Sequence, residues 1–255
     1  MPATDPTLIR ALIALADEAG AAIMALYGKV DARHKGDRSP VTAADEAAEA
    51  IILAGLRRLT PEIPVLAEEE ASRGDAPESI GSRFWLVDPL DGTKEFLSKN
   101  GEFTVNIALV EDGVPTIGVV GAPAMGLLYA TDGKAVWRRR DGGSDEAIAA
   151  RTPPAGGLTV AVSRSHRDSA TDEFLKTVKV AGEAVGGSSL KFCLVAEGAA
   201  DLYPRFGRTM EWDTGAGHAV LRAAGGSVRT VEGAELRYGK PGRDNPSFIA
   251  RGRDA

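Results

Sequence analysis

The 255-residue sequence contains a single cysteine, no apolar run of bilayer length, no excess of basic charge, no internal repeat and no low-complexity tract. Each absence removes a class of protein. Cys193, within the apolar run Leu190-Lys191-Phe192-Cys193-Leu194-Val195, cannot close an internal disulfide and reads as a core thiol suited to a reducing cytoplasm. Its apolar runs are too short to span a bilayer, so no integral membrane segment is expected. The acidic N-terminus lacks the basic start and apolar stretch of a signal peptide, which predicts a soluble, unprocessed chain. A formal charge of −6 gives no general attraction to nucleic acid or to an anionic membrane. Nucleic acid is therefore excluded as a partner, and an anionic substrate would need local cations or metals. The run Arg138-Arg139-Arg140 reads as a solvated face.

What is present alternates in a way that orders the chain. Leu8, Ile9, Leu12, Leu15, Ala16, Ala19, Ile23 and Leu26 recur at three and four, predicting an amphipathic helix over 6–27 that stops at Gly28. A polar loop over 31–40 follows, with His34 read as solvated. Thr42-Ala43-Ala44-Asp45 is a capping-box start for a helix to Leu59, so Asp45 already has a structural explanation. The apolar run 63–67 reads as a strand that ends in Glu68-Glu69-Glu70. Strands over 103–110 and 116–121 and a hairpin over 126–137 predict antiparallel sheet. Beyond them a strand over 158–163, helices over 169–181 and 189–197, a strand over 200–203 and a helix over 213–224 predict a layered α/β arrangement. Arg, Gly, Asp and Pro over 138–157 suggest a boundary. It would separate an α+β metal-binding subdomain, 1–150, from an α/β substrate-specificity subdomain, 151–255.

The densest chemistry lies in Trp85-Leu86-Val87-Asp88-Pro89-Leu90-Asp91-Gly92-Thr93. A buried strand is expected to end at Asp88, because Pro89 cannot donate a ladder hydrogen bond and Gly92 permits a tight turn. Asp88 and Asp91 would then converge on one point, where mutual repulsion raises a pKa or calls for a cation. Hard oxygen ligands favour magnesium, with the Leu90 carbonyl as a third donor. The Thr93 hydroxyl, capping a helix through 94–97, would orient an oxyanion or a water. Glu68 at a strand end and Asp213 at a helix start add two more acidic element ends. Asp213 reads as an N-cap whose helix dipole lowers its pKa and keeps it ionised. Carboxylates gathered this way make a divalent-metal site for phosphoryl chemistry.

Val41-Thr42-Ala43-Ala44-Asp45, Glu68-Glu69, Asp88-Pro89-Leu90-Asp91-Gly92-Thr93 and Trp212-Asp213 resemble, in that order, the signature of the magnesium-dependent, lithium-sensitive inositol monophosphatase superfamily. The likeness covers nearly the whole chain. Lys94-Glu95-Phe96, the stretch 100–109, Ser163-Arg164-Ser165-His166, the stretch 187–198 and Leu202-Tyr203-Pro204-Arg205-Phe206-Gly207 are further similar to its CysQ branch, the 3'(2'),5'-bisphosphate nucleotidases. Leu90 replaces the usual Ile and Gly215 the usual Ala.

The resemblance implies an α/β (α+β) fold, a layered αβαβα sandwich of the inositol monophosphatase/fructose-1,6-bisphosphatase type, with the active site between its halves. It implies hydrolysis of the 3'-phosphate of adenosine 3',5'-bisphosphate, or of its 5'-phosphosulfate relative, in sulfate assimilation. Two to three magnesium ions follow from it. Glu68, Asp88 and the Leu90 carbonyl would hold one, Asp88, Asp91 and Asp213 a second, and Glu69 would help with a weaker third. Asp45, paired with Thr93, would activate the attacking water. Glu68, Leu90, Asp91, Gly92, Thr93 and Asp213 would meet the scissile phosphate, and His166, Ser189, Lys191 and Arg205 the rest of the nucleotide. The same likeness implies a cytoplasmic monomer or homodimer and allows peripheral association with the inner membrane. The alternatives are an inositol-1-monophosphatase, a fructose-1,6-bisphosphatase, and an inactive nucleotide-binding regulator, which would need a missing ligand or nucleophile activator, whereas Asp45, Glu68, Asp88, Asp91, Thr93 and Asp213 are all present.

Overall fold

The computed structural model describes residues 6–29, 33–34, 40–77, 79–164 and 168–253. Helix α1, Pro6–Leu26, is followed by two short strands, β1 Arg33–His34 and β2 Pro40–Val41, paired antiparallel. The loop expected over 31–40 thus contains paired backbone; the His34 side chain lies outside what is described. Helix α2, Ala43–Leu59, carries the expected capping box, with the Thr42 hydroxyl accepting from the Ala44 N–H and the Asp45 carboxylate accepting from the Thr42 N–H. Strand β3, Val65–Ala67, leads directly into a short helix α3, Glu68–Arg73, so the acidic run is a helix start instead of a strand edge.

Strand β4 runs Arg83–Asp91, and helix α4 covers Thr93–Leu97. Strands β5 Thr104–Glu111, β6 Val114–Ala122, β7 Leu127–Thr131, β8 Val136–Arg140 and β9 Glu146–Ala147 follow. They complete a seven-stranded sheet in the order β3-β4-β5-β6-β7-β8-β9, parallel only between β3 and β4. In the second part of the chain come β10 Leu158–Val162, α5 Ser169–Leu175, β11 Val180–Val185, α6 Leu190–Ala196, β12 Leu202–Arg205, α7 Glu211–Ala223, β13 Ser227–Thr230 and β14 Phe248–Arg251. Their strands form a five-stranded mixed sheet, β11-β10-β12-β14-β13. The helix expected over 169–181 stops at Leu175, and β11 takes up the remainder as an edge strand parallel to β10.

The layers stack as α1 and α2, the seven-stranded sheet, α6 and α7, the five-stranded sheet, then α5. One apolar core joins α1 and α2 to the first sheet, a second joins both sheets through α6 and α7, and a third lies under α5. Strand β4 shows the period of two that makes this work. Trp85 and Val87 belong to the core shared with α1 and α2, whereas Phe84 and Leu86 belong to the core shared with α7. The buried Trp85 indole donates to Thr60 Oγ1 at 2.9 Å, so this large side chain leaves no polar atom stranded. Among the described residues no helix is long and apolar enough to cross a membrane.

Candidate active site

The alternation along β4 carries one step further at Asp88, which shares the face of Phe84 and Leu86 and so turns towards the α7 layer. Its neighbour is fixed by register. Ala67 of β3 lies beside Val87 of the parallel β4, which sets Glu68, the next residue, beside Asp88. The strand does not end at Asp88: it continues through Pro89 to Asp91, with an irregularity in its pairing to β5 between the two aspartates. That irregularity is how a proline fits a central strand, since a local break in the ladder removes the need for its missing N–H.

Gly92 caps α4 with φ 94°, and a Cβ there would meet Ser188 Oγ at 2.3 Å. The N-cap expected of Thr93 is therefore supplied by Gly92 backbone. Thr93 is the first helical residue, and its hydroxyl is free to donate to Asp45 Oδ1 at 3.2 Å, with the Leu90 carbonyl at 3.5 Å. The other Asp45 oxygen, Oδ2, accepts from the Thr42 backbone N–H at 2.8 Å and the Thr42 hydroxyl at 2.7 Å. Burial raises the Asp45 pKa above the usual carboxylate value, with the two Thr42 bonds opposing it.

Asp213 is also displaced from its expected role. Helix α7 starts at Glu211, so Asp213 is its third residue, and its carboxylate accepts from the Met210 N–H at 2.9 Å. The helix dipole does not dominate its titration: burial first, then Asp91 and Glu68, push its pKa well up. Asp88 is raised well above normal by burial and then by Glu68, Asp91 and Asp213. Asp91 rises to about 6, burial outweighing the pull of Lys191. Four carboxylates that each disfavour the others' charge, beside a backbone carbonyl, form a hard-oxygen donor set suited to a divalent cation. Among the described residues no three acidic, His or Cys side chains are already drawn into a closed cluster; Glu68, Asp91 and Asp213 border an open cleft, and Asp88 lies buried behind them.

That cleft, about 210 Å³, is lined by Glu68, Asp91, Gly92, Thr93 and Asp213 on one side and by Ser163, Ser188, Lys191, Tyr203 and Arg205 on the other. Lys191, a residue that composition alone would put on the surface, is 3% exposed. Its ammonium donates to the carbonyls of Ser188 at 2.8 Å and Gly186 at 3.3 Å and lies over the Tyr203 ring. Burial lowers its pKa to about 8 against the opposing pull of Asp91. Arg205 reaches the same cleft, and its buried Nε has no hydrogen-bond partner among the described residues. A guanidinium bordering the cleft is a fit partner for an oxyanion.

Other expected residues take different places. Ser189 is buried, and its hydroxyl donates to the Asp213 carbonyl at 2.7 Å, which ties the α6 start to the α7 start. Glu69 does not line the cleft. It is buried in α3, its N–H donates to Glu49 Oε2 at 2.7 Å, and Ser72 Oγ approaches its carboxylate at 3.4 Å. His166 lies outside the described residues. Sequence reasoning passed over Glu95, Ser188 and Tyr203 as site residues. Glu95 carried a signal, being one helical turn beyond Asp91; Ser188 carried none, for it acts through a positive φ of 49° and bonds from its hydroxyl to the Asp91 and Glu102 carbonyls.

The chain matches the inositol monophosphatase family over residues 5–249. It is 50% identical over 229 residues to the 3'(2'),5'-bisphosphate nucleotidase CysQ of Escherichia coli K12, covering 88% of this chain and 91% of that one. The protein of the same description from Buchnera aphidicola is 45% identical over 241 residues, covering 93% and 89%. Among solved structures, CysQ from Bacteroides thetaiotaomicron superimposes with a TM-score of 0.80 at 38% identity, covering 97% of both chains.

Proposed function

From the premise that the chain belongs to the inositol monophosphatase family, we propose that it is a magnesium-dependent 3'(2'),5'-bisphosphate nucleotidase. Its reaction would release the 3'-phosphate of adenosine 3',5'-bisphosphate, or of the 5'-phosphosulfate relative, as a step linked to sulfate assimilation. The observation that carries this reading is the pairing, across one cleft, of a carboxylate wall with two cations, the buried Lys191 and the half-buried Arg205. A small monophosphate requires only the first wall. A second phosphate gives the second wall its purpose.

Glu68, Asp88, the Leu90 carbonyl, Asp91 and Asp213 would hold two magnesium ions, with Glu69 near a third only if α3 shifts. Bound magnesium would neutralise phosphate oxygens and acidify a water. The chain's own part starts at Asp45. Its Oδ1 accepts the Thr93 hydroxyl proton, which orients the hydroxyl lone pairs to receive a proton from the attacking water. The water oxygen bonds to phosphorus as the ester P–O bond breaks; the proton of the attacking water passes to the Thr93 hydroxyl, whose own proton moves to Asp45, and a solvent water protonates the departing ribose oxygen. Gly92, with no side chain to block the approach, exposes the backbone at the start of α4 to the phosphate. Lys191 and Arg205 would bind the 5'-phosphate. A cytoplasmic monomer or homodimer, with peripheral contact to the inner membrane allowed, belongs to the same reading.

The test is phosphate release from adenosine 3',5'-bisphosphate and from inositol 1-phosphate, with magnesium and with or without lithium. Lys191→Ala and Arg205→Ala are each expected to lower kcat/KM for the bisphosphate roughly ten- to a hundredfold while affecting inositol 1-phosphate much less. A wild-type preference for inositol phosphate, or equal losses on both substrates, would hand the reading to the sibling phosphatase.

A further inference from the structure

One buried carboxylate in the cleft has no task in the chemistry above. Glu95 is 3% exposed and lines the cleft beside Thr93 and Lys191. Its backbone carbonyl takes part in the turn that follows α4, accepting from Ser98 Oγ and the Asn100 N–H. The carboxylate oxygens themselves meet no hydrogen-bond donor and no ion-pair partner among the described residues. One of them leans over the phosphate-facing backbone: a Cβ built on Gly92 would stand 3.2 Å from Glu95 Oε2.

A carboxylate that borders the cleft with no protein donor of its own favours a ligand that supplies one. Phosphate oxygens cannot supply it, because they are anionic acceptors like Glu95 itself. Lys191 does not, since its ammonium gives two hydrogens to the Gly186 and Ser188 carbonyls and the third is assigned to the 5'-phosphate. The attacking water belongs with Thr93 and Asp45. What remains beside a bound phosphate ester is the group on the next carbon. In a nucleoside 3'-phosphate that group is the 2'-hydroxyl of the ribose, a neutral donor within reach of a side chain that overhangs the phosphate seat.

We propose that Glu95 accepts a hydrogen bond from the hydroxyl adjoining the scissile phosphate ester, and that it thereby selects ribonucleotides over deoxyribonucleotides. The inference rests on the nucleotidase reading and narrows its substrate class. It makes Glu95 a specificity residue that touches substrate without joining the proton transfer.

The experiment measures kcat/KM at saturating magnesium for adenosine 3',5'-bisphosphate and for its 2'-deoxy counterpart, in wild type and in Glu95→Gln. Wild type is expected to favour the ribonucleotide by roughly ten- to a hundredfold, the range for a hydrogen bond to a charged acceptor. In Glu95→Gln the ratio of the two values is expected to fall towards one. The wild-type ratio needs no variant, so a poorly folded Glu95→Gln does not remove the test. A wild type indifferent to the 2'-hydroxyl, or a variant that loses both activities with the ratio unchanged, overturns the inference and leaves the nucleotidase reading standing. Wild type inert towards both nucleotides overturns that reading and the inference with it.

Discussion

At the scale of single residues, Asp45 shows how one side chain serves structure and chemistry at once. Oδ2 holds the first turn of α2 through Thr42, and Oδ1 accepts the Thr93 hydroxyl across 48 positions of sequence. Changing it to Asn keeps the shape but removes the charge that would draw a proton through Thr93. Asp45→Asn is therefore expected to lower kcat by about a hundredfold or more with KM nearly unchanged, in steady-state assays on the bisphosphate. A change confined to KM would sink its role in activating water. The capping role was readable in the sequence because Thr-x-x-Asp is a local pattern, and so was the mutual repulsion of Asp88 and Asp91, which burial and neighbouring carboxylates turn into raised pKa values. Asp213 was legible as an acidic helix start but not in its state: local reasoning supplied a helix dipole, whereas the fold buries it and sets Asp91 and Glu68 beside it, which raise its pKa. Lys191 was ambiguous for the same reason, since nothing near it in sequence announces that its stem is buried and its ammonium satisfied by two carbonyls.

At the scale of elements, what could be read depended on whether the signal was local. Helices α1 and α2 declared themselves by period and cap, and the antiparallel run β5 to β8 by its turns. Strand β11 did not, because its edge position leaves it exposed at alternate residues and its pairing partner, β10, lies about 20 residues back. The passage of β4 through Pro89 was missed because a proline argues against a central strand unless a bulge accommodates it, and the bulge depends on β5. The turn from β4 into α4 is where this geometry becomes functional. Gly92 combines φ 94° with a space that Ser188 Oγ and the Phe103 Cα already fill. Gly92→Ala must strain the backbone and displace Ser188, whose hydroxyl holds the Asp91 and Glu102 carbonyls together. A cost of about 1–3 kcal/mol in stability is expected, with a fall in kcat/KM of at least tenfold because Asp91 and Thr93 move with the turn. Chemical denaturation and steady-state kinetics check it; a variant with wild-type values in both would show that the turn tolerates the side chain.

At the scale of the whole molecule, the cleft depends on α7 being held between the two sheets. The core that joins both sheets runs through Trp212, Ala216, Val220 and Leu221 of α7 to Leu86 and Ala108 on one side and Phe248 and Ala250 on the other. Gly118 of β6 lets α7 come close, for a Cβ there would lie 2.6 Å from the Ala216 carbonyl. Within this layer sits His218, buried, with Nδ1 3.0 Å from the Tyr238 hydroxyl, which in turn donates to Thr214 at 3.2 Å, one residue beyond Asp213. Burial, reinforced by Arg222, lowers its pKa to about 3, so the folded protein holds it neutral across the range in which an unfolded histidine, with a pKa of 6.5, takes up a proton. As pH falls from about 6.5 towards 3, the unfolded chain binds a proton that the native chain refuses, and stability falls; above 6.5 the two states agree and the contribution of His218 no longer depends on pH. Carboxylates raised by burial act in the opposite direction over overlapping pH, so the total curve cannot isolate the histidine. The difference between wild type and His218→Gln does. Unfolding free energies measured by denaturant titration from pH 7.5 to pH 4.5 are expected to converge on, or cross to, the variant's side as pH falls. The relative loss by wild type is on the order of a few kcal/mol across the window. A difference that stays constant with pH would mean that His218 charges in the folded state as readily as in the unfolded one, and the neutral, buried clasp between α7 and Tyr238 would have to be given up.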